Sequence, residues 1–178
     1  GAGEPTLLEN LPNELQSMSE TERSVFLDQL LAMDAPTALL AMKTVGRFYR
    51  QPENADRCAH KLASIGSTSA AFLLGQIIQA QGRAYPEVCR KFAPESVGPL
   101  VYPLGSLLGH PAEGNEAAII LGQSGNKDAL AFLQSRANAE TPRVIAGLAA
   151  SGHADVLKEA ADMVDGLKED HVRRILNA

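Results

Sequence analysis

Aromatic residues are scarce in this chain: they make up 4% of its 178 positions, and tryptophan is absent. Strand-rich proteins lean on aromatic and β-branched side chains, whereas alanine and leucine, which carry most of the apolar content here, are strong helix formers. Composition therefore points to helix. The two cysteines, Cys58 and Cys89, are too few for a disulfide framework. No apolar run approaches the roughly 20 residues that span a bilayer; the longest, Val97 to Gly109, is interrupted by Pro99 and Pro103. A dominant basic field is missing too. The formal net charge of −5 and a pI near 5.4 speak against general nucleic-acid binding. The expected location is cytoplasmic. Because the chain opens on Gly1-Ala2-Gly3 rather than Met, a removed signal peptide stays open as the alternative.

The charge that is present is unevenly placed. Residues 1–34 hold one Arg against seven acids, a net of −6, and residues 92–178 hold seven cations against eleven acids, a net of −4. Between them, residues 35–91 hold eight Lys and Arg against three acids, a net of +5. A basic middle lies between acidic ends.

Helix starts recur at short intervals. Ser19 with Glu22 makes a capping box, and Val25, Phe26, Leu30 and Met33 follow at helical spacing. Asp34-Ala35-Pro36 ends that helix and opens another, since proline suits the first helical turn. In this next helix Ala38, Ala41, Val45 and Phe48 share one face, Lys43, Arg47 and Arg50 another, and Pro52 closes it. Pro86, Asn115 and Thr141-Pro142 mark later starts, for about eleven or twelve short helices in all. No stretch alternates in the manner of a strand.

Three glycines organise the second two-thirds of the chain. Leu62-Ala-Ser-Ile-Gly66, Leu121-Gly-Gln-Ser-Gly125 and Leu148-Ala-Ala-Ser-Gly152 each place Leu four residues before Gly, with small or apolar residues four and five after it. Gly125 and Gly152 are 27 apart, and Gly66 lies 59 before Gly125, about two such periods. Glycine just past a helix takes the left-handed conformation that ends it, so the chain reverses and an antiparallel helix pair forms. One pair cannot bury its whole apolar surface, so pairs must stack. Gly98 falls between these repeats, but Pro94 occupies its Leu position, which marks that repeat as degenerate.

The pattern Ala-x-x-Leu-Gly-x-x-Gly followed by Ala-Leu-x-x-Leu resembles HEAT-like repeats of the phycobilisome-lyase type. Ala118 to Leu133 is the clearest copy, Ile145 to Leu157 the next, and His60 to Leu74 a fair one. The resemblance implies an all-α fold, an α-α superhelix or HEAT-like solenoid of antiparallel helix pairs. The pairs are expected near 53–81, 85–109, 114–138 and 141–165, with a terminal helix over 168–177. Residues 1–50 are expected as an atypical N-terminal helical cap and 51–178 as the repeats, in one continuous domain.

Chemistry is sparse. Cys58, His60 and Cys89 contain soft metal-ligand types, but no Cys-x-x-Cys or His-x-x-x-His pair brings them to ligand spacing, and buried core thiols are the better reading. The di-iron site of deoxyhypusine hydroxylase, a HEAT-like relative, needs His-Glu pairs. None of His60, His110, His153 and His171 is followed by Glu. His110 and His153 read as loop or cap residues. Kinship with alkylpurine DNA glycosylases is disfavoured by the acidic charge and the missing Trp. The lyase resemblance leaves one enzymatic alternative, a bilin lyase-type protein handling pigment on an antenna protein. No catalytic, metal or cofactor-binding residue is assigned.

The expected function is a protein–protein interaction scaffold. Lys43, Arg47 and Arg50 at i, i+4 and i+7, with Arg57 and Lys61 on the following helix, would merge into a patch for an acidic peptide or protein face, the alternative being a solvated helix face that only keeps the protein soluble. The concave row of second helices, with Gln76, Gln79, Lys127, Gln134, Lys158 and Asp162, ranks behind it for want of aromatic or Arg anchors.

Overall fold

A computed structural model describes residues 4–136 and 141–177 of the chain, and the side chains of 11–136 and 142–177. Among these residues it is all-helical, with eleven α-helices, three 3-10 turns and no strand. In order these are α1 (Glu4–Ser17), α2 (Glu20–Ala32), α3 (Ala35–Thr44), a 3-10 turn (Phe48–Arg50), α4 (Pro52–Ile65), α5 (Thr68–Gln81) and α6 (Pro86–Cys89). Two more 3-10 turns (Pro94–Ser96 and Gly98–Leu100) lead into α7 (Val101–Gly105), followed by α8 (Gly114–Gln123), α9 (Lys127–Ser135), α10 (Thr141–Ala150) and α11 (Ala154–Leu176). No helix among the described residues is long and apolar enough to cross a membrane.

The local signals act as their chemistry requires. Ser19 Oγ accepts from the Glu22 amide at 3.2 Å while the Ser19 amide donates to Glu22 Oε1 at 3.3 Å, which completes the capping box. Asp34 Oδ1 accepts from the Thr37 amide at 3.1 Å and opens α3. Gly66, Gly125 and Gly152 have φ of 68°, 69° and 72°, the left-handed region that glycine enters without a Cβ clash. Each is followed by one extended residue (Ser67, Asn126 or His153) and then by the first residue of α5, α9 or α11. The three turns are equivalent.

These turns make the pairs α4–α5, α8–α9 and α10–α11. The first helices meet in series, α2 on α4, α4 on α6, α6 on α8 and α8 on α10; the second helices likewise, α3 on α5, α5 on α7 and α7 on α9. The most extensive contact joins α8 and α10. Missing side chains let these helices approach: a Cβ on Gly75 would lie 2.9 Å from Pro103 Cγ, and one on Gly105 would lie 2.4 Å from the Phe132 ring. Leu30, Met42, Leu62, Leu74, Ile77, Leu100, Leu104, Leu121 and Leu133 fill a core that runs through all the pairs.

Four sequence expectations are corrected. Helix α3 stops at Thr44, because Gly46 turns left-handed (φ 61°) and the chain continues as a 3-10 turn. Asn54 Nδ2 pins that turn by donating to the Phe48 carbonyl at 2.9 Å. Pro52 does not close this segment; it is the first residue of α4. The pair expected over 85–109 is reduced to a single turn at α6, two 3-10 turns and the short α7, since Pro94, Pro99 and Pro103 withhold amide donors across the stretch. Finally, no separate helix begins at 168: α11 runs unbroken through Gly166 to Leu176. The end of the pair expected near 138 lies outside the described residues.

Candidate partner-binding face

The five predicted basic residues do not form one helical stripe. Lys43 lies in the last turn of α3, Arg47 beyond the left-handed Gly46, and Arg50 at the end of the 3-10 turn. Arg50 is half-buried, and its Nε lacks a hydrogen-bond partner. Arg57 and Lys61 turn toward the preceding pair. Arg57 Nη2 contacts Asp28 Oδ1 of α2 at 2.8 Å, and Lys61 Nζ donates to the Met33 carbonyl at 2.7 Å, a cation on the C-terminus of α2. Of the five, Lys43 and Arg47 remain exposed with no ion pair among the described residues.

Arg57 belongs to a series. Arg83 Nη1 meets Asp56 Oδ1 of α4 at 3.3 Å, and Arg90 Nη2 meets Glu116 Oε2 of α8 at 3.5 Å. Each pair bridges successive first helices or the turn between them. All six side chains are about half exposed or more, so each pair contributes at most about 1 kcal/mol. Three of the eight cations in the basic middle thus answer acids on neighbouring pairs.

The last two of these pairs flank a cleft of about 380 Å³ that also holds His60, Tyr85 and Glu87. Tyr85 has φ 48°, the only non-glycine positive φ among the described residues. The Ala84 amide donates to Glu113 Oε2 at 2.9 Å, and the Arg83 guanidinium lies 4.9 Å over the Tyr85 ring, which together hold this strained turn. Its buried hydroxyl has no partner at hydrogen-bond geometry. Burial, together with the neighbouring Asp56 carboxylate, pushes it up to about 12. The cations and anions here are mixed and mostly paired, which gives the cleft no single preference for ligand charge.

A different surface stands out on the second helices. Of the eight Phe and Tyr residues, Phe72 (54% exposed) and Tyr102 (68%) are the only ones largely in solvent. They lie on α5 and α7, which pack together, each within one helical turn of the Gly75–Pro103 contact. Leu40, also exposed, stands on α3, which packs on α5. Helices α3, α5 and α7 contain no Asp or Glu, and Lys43 is their one charged residue. The row therefore exposes Leu40, Phe72 and Tyr102 among uncharged polar side chains, has no carboxylate within its helices, and is basic at its α3 end.

Sequence reasoning passed over both aromatics. Phe72 was legible, because it interrupts the polar stripe Ser69, Gln76, Gln79 that faces out from α5. Tyr102 was not, since the proline-broken segment around it has no regular period. Of the residues expected on this face, Gln76 is half-buried and accepts from the Tyr49 hydroxyl, and Gln134 donates to Glu159 at 2.9 Å. Gln79, Lys127, Lys158 and Asp162 are exposed.

Cys58 and Cys89 are buried thiols, as expected, and burial pushes each up to about 12. Cys89 Sγ donates to the Ala84 carbonyl at 3.2 Å, while His60 is exposed at the cleft. His110 Nδ1 accepts from the amides of Ala112 and Glu113 and so orders its own loop. No family model, curated protein or solved structure matches this chain.

Proposed function

We propose that the chain is a protein-interaction scaffold built as a short HEAT-like solenoid, with the second-helix face of α3, α5 and α7 as its docking surface. The solenoid reading is supported by equivalent turns at Gly66, Gly125 and Gly152 and by contacts that run chiefly within pairs or between neighbours. On this reading α2 and α3 form a further pair, and α1 is the cap. The observation that carries the functional reading is the exposure of Phe72 and Tyr102 on contacting helices. Aromatic side chains are prominent in interface hot spots, and burying what remains exposed of each of these two contributes about 1–2 kcal/mol. The partner is a protein segment with apolar side chains and an acidic end that meets Lys43 and Arg47. This keeps two of the five predicted basic residues as the docking flank and assigns Arg57 and Lys61 to the fold.

A photo-crosslinking residue in place of Tyr102 tests this in the source cell. It should capture a protein, and Phe72→Ser on the same chain should abolish the capture; the same probe at Arg90 should capture far less. Equal labelling at both positions, or indifference to Phe72→Ser, would refute the docking face. Incubation with bilins and apo-antenna protein should leave no covalent colour, which separates a scaffold from a lyase.

A further inference from the structure

We propose that α11 is a self-association surface through which two copies of this chain pair, their α11 helices antiparallel. Val156 and Ala160 face the core and are buried, yet Leu157, Val164, Leu167 and Ile175 are exposed, and every residue from Val164 to Asn177 lies in solvent. Positions 157, 164, 167 and 175 share one side of the helix, a seam of about 27 Å at 1.5 Å per residue. Spacings of seven, three and eight residues hold all four within an arc of about 80°, the stripe by which one helix meets another.

Charge selects the partner. Residues 154–165 carry Asp155, Glu159, Asp162 and Asp165 against Lys158, a net of −3; residues 166–176 carry Lys168, Arg173 and Arg174 against Glu169 and Asp170, a net of +1. Parallel pairing would lay the acidic halves side by side. Antiparallel pairing sets each acidic half against the basic end of the other copy, and it opposes the two helix dipoles favourably. The arrangement is isologous, so it closes at two copies rather than growing into a filament. A seam of this length falls at the small end of stable interfaces, so the dimer is weak and concentration-dependent.

Sedimentation velocity across a concentration series should show the 18.9 kDa chain moving toward twice that mass. Leu167→Glu with Ile175→Glu should hold it monomeric with unchanged helicity. Lys168→Glu with Arg174→Glu, the cations that flank the seam, should weaken pairing roughly tenfold at low salt, and mixing that variant with Glu159→Lys, Asp165→Lys should restore it. Under oxidation, Leu157→Cys should cross-link to Ile175→Cys of another copy in a mixed sample but not to itself, and the buried Cys58 and Cys89 will not compete. A monomer at all concentrations would overturn the proposal. So would self-cross-linking of Leu157→Cys, or a dimer that survives the Glu variants but is lost with Tyr102→Ser.

Discussion

Gly122 offers the sharpest test of how these helices stack. Replacing a helix-interior glycine by alanine ordinarily stabilises by about 0.5–1 kcal/mol, because alanine has less backbone freedom to lose. At Gly122 the sign should reverse. A Cβ there would lie 1.7 Å from the Gly147 carbonyl oxygen and 2.6 Å from its carbon, so the obstacle is backbone of α10, which cannot rotate away. The reciprocal contact is similar, with a Cβ on Gly147 falling 2.5 Å from the Ala118 carbonyl oxygen. Relief requires α8 and α10 to separate, and that opens the layer where Ala118, Leu121, Val144 and Leu148 are buried. Overpacking typically costs about 1–3 kcal/mol even where side chains can adjust. A rigid backbone clash belongs at the top of that range, so Gly122→Ala should lose a net of about 2–3 kcal/mol. For a chain of this size that is a fall of about 4–12 °C in Tm. Gly166 is the control: it is helical, and a Cβ there meets nothing within 4 Å. Gly166→Ala should gain about 0.5–1 kcal/mol. Urea and thermal unfolding followed by circular dichroism read both variants. If Gly122→Ala is as stable as the parent chain, α8 and α10 do not meet backbone to backbone and the close-stacking account fails.

Three further outcomes are expected. Ser19→Ala should cost about 1 kcal/mol by removing the cap of α2, whereas Ser24→Ala on the exposed side of that helix should change stability little; urea midpoints compare them. Gly66→Ala should cost about 1–2 kcal/mol in the same assay, since a Cβ must then enter the left-handed region at φ 68°. Burial raises both thiols from 9.0 to about 12, so the unfolded chain releases their protons first. Their contribution is intact below about pH 9 and declines between pH 9 and pH 12, and Tyr49 and Tyr85, raised from 10.0 to about 12, act in the same direction. Urea midpoints should therefore fall from pH 8 to 10.5, less steeply in Cys58→Ala, Cys89→Ala; an equal slope in that variant would remove the thiols from the account.

The sequence alone determined what local chemistry controls. Ala-Leu composition, the Ser19 and Asp34 caps and the glycines at 66, 125 and 152 act within a few residues, so the helical class and the principal turns were readable in advance. The end of α3 was misread because the apolar spacing from Ala38 to Phe48 survives the left-handed Gly46, and the 3-10 turn that follows is held by later helices, Asn54 donating to the Phe48 carbonyl and Gln81 to the Arg50 carbonyl. The charges depended on stacking throughout. Arg57, Arg83 and Arg90 find their acids 29, 27 and 26 residues away, about one repeat, and none of these pairs exists until neighbouring first helices are side by side. Part of the basic middle that reads as a docking patch in one dimension is therefore internal wiring in three. Phe72 and Tyr102 show the converse: nothing in the sequence links them, and their helices are brought together where Gly75 lets α5 close on Pro103. Local rules set each helix; the shape of its neighbour decided which side chains faced water.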